Sequence, residues 1–155
     1  MQHLKDFLLN QGYFRVKLKK TATNHFEIKV RVNKVKGRFI LDTGASNSCV
    51  GFDEIEIFSL QTEASEHKAS GAGSTEIDTL ISKKNNLKIG KFKLKKSPLI
   101  LIDLSHINNA LVKQNANPVQ GIIGADILHK GKAIIDYNKK YLYLLNKNNK
   151  NEFIR

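Results

Sequence analysis

Residues 39–44 read Phe-Ile-Leu-Asp-Thr-Gly. Three apolar residues run directly into a carboxylate, and no other stretch limits the chain as much. A carboxylate at the end of a buried strand loses hydration, which costs several kcal/mol unless it is paired or put to use. The residues after Asp42 are small or hydroxyl-bearing: Thr43, Gly44, Ala45, Ser46. Gly44 lacks a Cβ, so its backbone can approach the carboxylate and offer an N–H. Ser46 offers a hydroxyl to the same group. Thr43 is β-branched and stiff, and its hydroxyl can hold a neighbouring loop. An Asx turn needs only Asp and Gly, so this motif alone fits a turn as well as a reagent.

Around it the pattern is mostly β. Residues 13–20 alternate, and 26–35 alternate more clearly, with Ile28, Val30 and Val32 opposite Lys29, Arg31 and Asn33. Lys36-Gly37 reads as a tight turn. Residues 53–60 fit a short helix or a strand. Residues 66–82 read as a hairpin with a glycine-rich tip at Ser70-Gly71-Ala72-Gly73-Ser74. Residues 86–102 read as two strands broken near Ser97-Pro98, and 133–145 as a closing hairpin with its turn at Asn138-Lys139. Three short helices are expected: 3–10, 103–113 started by Asp103 or Ser105, and 125–129 ended by Gly131. Many short strands with little helix imply a small barrel or sandwich-like β domain.

A second motif, Gly121-Ile122-Ile123-Gly124-Ala125-Asp126, sets two β-branched residues between glycines. The glycines suggest that another backbone passes close. The plain reading is a core strand meeting a helix, with Asp126 in the first turn.

Taken in order, these stretches resemble the retropepsin-like aspartic proteases, in particular their small bacterial members. FILDTGAS at 39–46 is similar to their catalytic loop, ASGAGSTE at 69–76 to their flap, and GIIGADIL at 121–128 to their apolar-apolar-glycine element and following helix. IIDYNKKYLYL at 134–144 is similar to their closing hairpin. The resemblance covers about residues 25–145. It implies a mainly β, single-domain, closed barrel with few short helices over 21–146. A helix-and-strand extension (1–20) would precede it and a polar tail (147–155) would come after it. It also implies an aspartic endopeptidase without cofactor or metal. The chain has one Asp-Thr-Gly, so the family's paired carboxylates require a homodimer. Asp42, Thr43 and Gly44 would form the catalytic loop, with Thr43 bracing it across the dimer. Ala45, Ser46, the flap Ser70, Gly71, Ala72, Gly73 and Ser74, and Ile123 would meet an extended polypeptide substrate. Ile122 and Gly124 would support the loop. The strand Tyr141–Leu145 is the candidate for an edge that pairs between subunits.

Composition narrows the alternatives. A length of 155 residues suggests one domain. The single cysteine, Cys49, excludes an internal disulfide framework and a cysteine-based zinc site. The five histidines show no paired ligand spacing. No G-x-S-x-G elbow or phosphate loop is present. The start has no apolar stretch of signal-peptide length, and no window reaches membrane-spanning length, so a cytoplasmic location without a membrane partner is expected. The net charge of +12 raises an anionic partner. Many lysines alternate with apolar residues, however, as on the wet face of half-buried strands. With aromatics at 8% and no Trp, a nucleic-acid-binding β domain is the weaker alternative. A non-catalytic dimerisation or peptide-binding module of the same fold is the other.

Overall fold

A computed structural model describes residues 3–69 and 77–146. The chain begins with α1 (Leu4–Asn10), β1 (Phe14–Lys17) and the two-residue β2 (Lys19–Lys20). Next come β3 (Phe26–Val32) and β4 (Val35–Leu41), an antiparallel hairpin. Its turn is Asn33-Lys34, both with positive φ (49° and 75°). The expected turn at Lys36-Gly37 instead lies inside β4. Left-handed residues at both central turn positions match the right-handed twist of the strands. Gly37 is there for space: a Cβ on it would stand 2.8 Å from the Phe58 ring.

After the hairpin come β5 (Cys49–Gly51), a 3-10 turn (Phe52–Glu54), β6 (Glu63–Ala69), β7 (Ile77–Ile89) and β8 (Phe92–Ile102). The undecided stretch 53–60 is thus a 3-10 turn leading into irregular chain. β8 is not broken at Ser97-Pro98. The register between β7 and β8 shifts on either side of Asn85, which faces Ser97, so the missing N–H of Pro98 falls at an irregularity where a ladder bond is not required. The reversal comes earlier, at Gly90, with φ of 59°. The chain ends through α2 (Ser105–Lys113), β9 (Gly121–Ile123), α3 (Ala125–Lys130), β10 (Ile134–Asp136) and β11 (Tyr141–Leu144). The N-cap of α2 is Leu104, not Asp103 or Ser105, and has no side-chain cap; Asp103, one residue earlier, accepts the Ser105 N–H at 2.9 Å. That bond, with help from the Ser105 hydroxyl, holds the Asp103 carboxyl below the usual carboxylate range.

Eight strands run in the order β2-β3-β4-β9-β5-β8-β7-β6, and an extra β3–β7 pairing closes six of them into a barrel. The expected mainly β closed barrel with few short helices is what forms. β9 sits at its centre, parallel to β4 and antiparallel to β5. Two apolar clusters explain the run that ends in Asp42. Phe39, Leu41 and Ile123 fill the barrel with Phe58, Phe92 and Leu101. Ile40 and Ile122 point the other way and pack with Cys49, Leu104, Leu111 and Val119 beneath α2. A strand covered on both faces reads as an unbroken apolar run.

β1, β11 and β10 make a separate three-stranded sheet with β11 in the middle. Tyr141–Leu144 pairs with β1 on one side and β10 on the other. The expectation that this strand is a free edge for a second subunit therefore fails. The N-terminal extension occupies that edge within the same chain.

Candidate active site

Asp42 comes directly after the last residue of β4, where the parallel pairing with β9 runs out. Leu41 pairs with Ile123, and the Asp42 N–H donates to the Ile123 carbonyl at 2.9 Å. The carboxylate is half-buried. The Gly44 N–H donates to its Oδ1 at 2.9 Å, and the Ala45 N–H returns to the Asp42 carbonyl at 3.2 Å. These bonds fix the backbone and one carboxylate oxygen, as a reagent must be fixed. Thr43, Gly44 and Ser46 are exposed and Ala45 is half-buried. Among the described residues Gly44, not Ser46, supplies the hydrogen bond to the Asp42 carboxylate.

The loop is held from behind by α3. The Ala125 N–H donates to the Ala45 carbonyl at 2.7 Å. A Cβ on Gly124 would lie 2.5 Å from the same carbonyl oxygen and 3.1 Å from that of Asn47, so the loop backbone occupies the space of the missing side chain. Ser48 is fully buried. Its Oγ donates to Asp126 Oδ1 at 2.7 Å and accepts the Gly124 N–H at 2.8 Å. Asp126 Oδ1 also accepts the Ser48 N–H at 3.0 Å and the Ile127 N–H at 2.8 Å. By sequence Asp126 reads as a first-turn helix residue, and Ser48 has no role. Only the fold joins positions 78 residues apart, so no local signal could have linked them.

A cleft of about 300 Å³ opens beside the carboxylate. Ile40, Ile107, Ala110, Leu111 and Ile122 give it apolar walls, and Thr23, His25 and His106 stand with Asp42 as its polar groups. The His25 Nδ1 lies 2.9 Å from the Thr23 hydroxyl. An apolar cleft with a few convergent polar groups is the common form of a binding site. The two isoleucines take places opposite to those expected. Ile122 lines the cleft, whereas Ile123 is fully buried in the barrel. Strand alternation along β9 decides which faces out. His25, His106 and the α2 wall are not legible as cleft residues in the sequence, because they approach Asp42 only through the tertiary fold.

Thr43 opens onto a second cleft, of about 400 Å³, with Ala125, Leu128, His129, Ala133 and Ile135. The expected substrate residues Ser70, Gly71, Ala72, Gly73 and Ser74 lie outside the described residues; β6 and β7 pair antiparallel up to Ala69 and Ile77 on either side of them. Cys49 is buried, and its thiol is pushed up to about 12, first by burial and then by the negative charges of Asp126 and Asp42. Such a thiol is not a nucleophile. Among the described residues no group of three His, Cys, Asp or Glu is arranged to hold a metal ion, and no helix is long and apolar enough to cross a membrane.

The fold has solved counterparts. A retropepsin-like aspartic protease from Rickettsia conorii is 20% identical and aligns over 86% of this chain and 89% of its own, with a TM-score of 0.56. The retroviral protease-like domain of Ddi1 from Leishmania major is 15% identical, covering 81% and 90%, with a TM-score of 0.54. The EIAV protease, solved with the inhibitor HBY-793, is 18% identical, covering 76% and 98%, with a TM-score of 0.51. At these identities the likeness is one of fold. Among curated proteins none matches the chain significantly. The sequence profile of the aspartyl proteases matches residues 28–127, a span that runs from β3 through the Asp42 loop and the 121–124 element into α3. The chain belongs to the aspartyl protease family.

Proposed function

We propose that this protein is an aspartic endopeptidase that works as a homodimer, with Asp42 of each copy facing the other across a two-fold axis. The observation that carries the reading is Asp42 itself: one carboxylate, oriented by the Gly44 N–H at 2.9 Å and set at the edge of an apolar cleft. One chain holds one Asp-Thr-Gly, so the second carboxylate must come from a second copy. Exposed Thr43, beside its apolar cleft, would brace the paired loops.

Two carboxylates in one site do not ionise together, so the pair holds one proton. The ionised member takes a proton from a water lying between them, and the water oxygen bonds to the peptide carbonyl carbon. The protonated member gives its proton to the carbonyl oxygen, forming a neutral tetrahedral diol. A proton then passes to the amide nitrogen, the C–N bond breaks, and a carboxylic acid and an amine leave. The titrations belong to the pair rather than to either residue. An extended polypeptide would lie along the Ile40/Ile122 cleft. A cytoplasmic location is part of the same reading.

The test is cleavage of an unfolded protein between pH 3 and 8 by wild type and Asp42→Asn at several enzyme concentrations. Loss of cleavage in the Asn variant, with wild-type activity falling faster than linearly on dilution, is the expected result. An active monomer, or an active Asn variant, would refute the reading.

A further inference from the structure

The positive charge is not scattered. Arg31 on β3 pairs in register with Lys36 on β4 and with Lys88 on β7, and Lys88 pairs with Lys93 on β8. Lys36, Arg31, Lys88 and Lys93 therefore stand in one row across four neighbouring strands, all four exposed. At the usual strand spacing the row is about 14 Å long. The next row repeats the pattern, with Lys29 facing Arg38. Like charges directly opposite each other destabilise a sheet, and the four-residue row carries three such pairings in succession. The ion pairs among the described residues are Arg38–Glu27 at 3.9 Å and Lys83–Glu63 at 2.8 Å, and neither involves the four-residue row.

Beside the row lies a cleft of about 460 Å³ lined by Lys29, Lys36, Arg38, Glu54, Ile57 and Gln120, among others. It holds two buried polar atoms without a hydrogen-bond partner: Arg38 Nε, which faces Glu27 at 3.9 Å, and the acceptor Glu54 Oε2, which calls for a donor such as a peptide N–H. Native structures leave few such atoms unpaired. Ile57 is 56% exposed and gives the cleft an apolar patch. The row crosses β4 at Lys36, six residues before Asp42, so it lies about 20 Å along the strand from the carboxylate.

We propose that this face docks an acidic polypeptide segment, with carboxylates along the exposed four-residue row and an apolar side chain against Ile57 in the neighbouring cleft. Exposed Arg31, Lys36, Lys88 and Lys93 match carboxylates of an extended segment, and the mixture of cations with an exposed isoleucine suits a peptide that is both acidic and apolar. No aromatic residue stands in either row, so the stacking platform of a single-stranded nucleic-acid site is missing. The proposal concerns binding alone and stands or falls separately from hydrolysis.

The experiment uses the full chain carrying Asp42→Asn, so that no probe is cut. Fluorescence anisotropy would track a labelled peptide of alternating glutamate and leucine, a glutamate-free peptide of equal length and a twenty-nucleotide oligothymidine. Expected is binding of the acidic peptide that weakens with salt and falls about tenfold in Arg31→Glu/Lys88→Glu. It should be unchanged in Lys5→Glu/Lys139→Glu, which alters net charge equally at exposed sites elsewhere. Equal loss in the two double variants would reduce the effect to net charge and overturn the proposal. So would tighter binding of the oligonucleotide, or no binding of the acidic peptide.

Discussion

The hydroxyl of Ser48 donates to the carboxylate of Asp126 at 2.7 Å while accepting the backbone N–H of Gly124 at 2.8 Å. Two bonds on one buried oxygen thus join the end of the Asp42 loop to the start of α3. With the Ala125–Ala45 bond, they make the Asp42 loop and the 121–126 element one rigid unit.

Ser48→Ala should remove both bonds and leave the Gly124 N–H buried and unpaired, at a cost of roughly 1–3 kcal/mol. In a chain of this size that lowers the melting temperature by roughly 3–10 °C. Asp126→Asn keeps an oxygen that can accept the same donors and should cost less. Thermal melts of the two variants check the order; an equal or reversed order would show that charge, rather than the buried hydroxyl, holds the junction.

Gly124→Ala should drive a methyl into the Ala45 carbonyl, 2.5 Å from the ideal Cβ position. The obstacle is backbone, so the loop must move, at roughly 1–3 kcal/mol. A displacement of about 1 Å at the reacting group costs roughly a hundredfold in rate. Peptidase activity should therefore fall much further than stability, which parallel melts and rate measurements would reveal.

The Cys49 thiol, ordinarily at 9.0, is pushed up to about 12 by burial and by the charges of Asp126 and Asp42. The fold favours the neutral thiol. This contribution is complete below about pH 9 and is lost as pH rises towards 12, by at most about 4 kcal/mol. Cys49→Ala should lose less stability than wild type over that window in denaturant titrations. At about pH 8 a water-soluble disulfide reagent should label the thiol only after unfolding.

Burial, and then the neighbouring Asp53 charge, raise the Glu54 carboxyl above its ordinary value. A raised value means that this group's stability contribution is present below the unfolded value and lost as pH rises through the folded one. At neutral pH the charged form is therefore a penalty. Glu54→Gln should raise the melting temperature at about pH 7, and the gain should vanish below about pH 4, where wild type is protonated as well. A gain that persists in acid would point to packing rather than charge.

The residues that name the chemistry were legible because each is a local exception. Asp42 after three apolar residues, Gly44 two positions on, and Gly124 after two isoleucines all break patterns that neighbours alone define. Turns were legible where a residue's own chemistry sets them, as at Asp136, whose Oδ1 accepts the Lys139 N–H at 2.9 Å. The Asn33-Lys34 turn was not, because a lysine with positive φ carries no sequence mark, while Gly37 carries one for a different reason.

By itself the sequence determined a small, mainly β domain and the Asp42 loop, and the order of its motifs carried the resemblance that named the closed barrel, since strand periodicity and motif order are properties of neighbours along the chain. Only the tertiary structure decided that Ile122 rather than Ile123 faces the cleft, that β1 closes the edge of β11, that Ser48 and Asp126 meet, and that four cations fall into one row. Those outcomes depend on strand register and on contacts between distant segments. A shift of one residue in register would reverse every facing, and nothing local in the chain records which register the closed barrel selects.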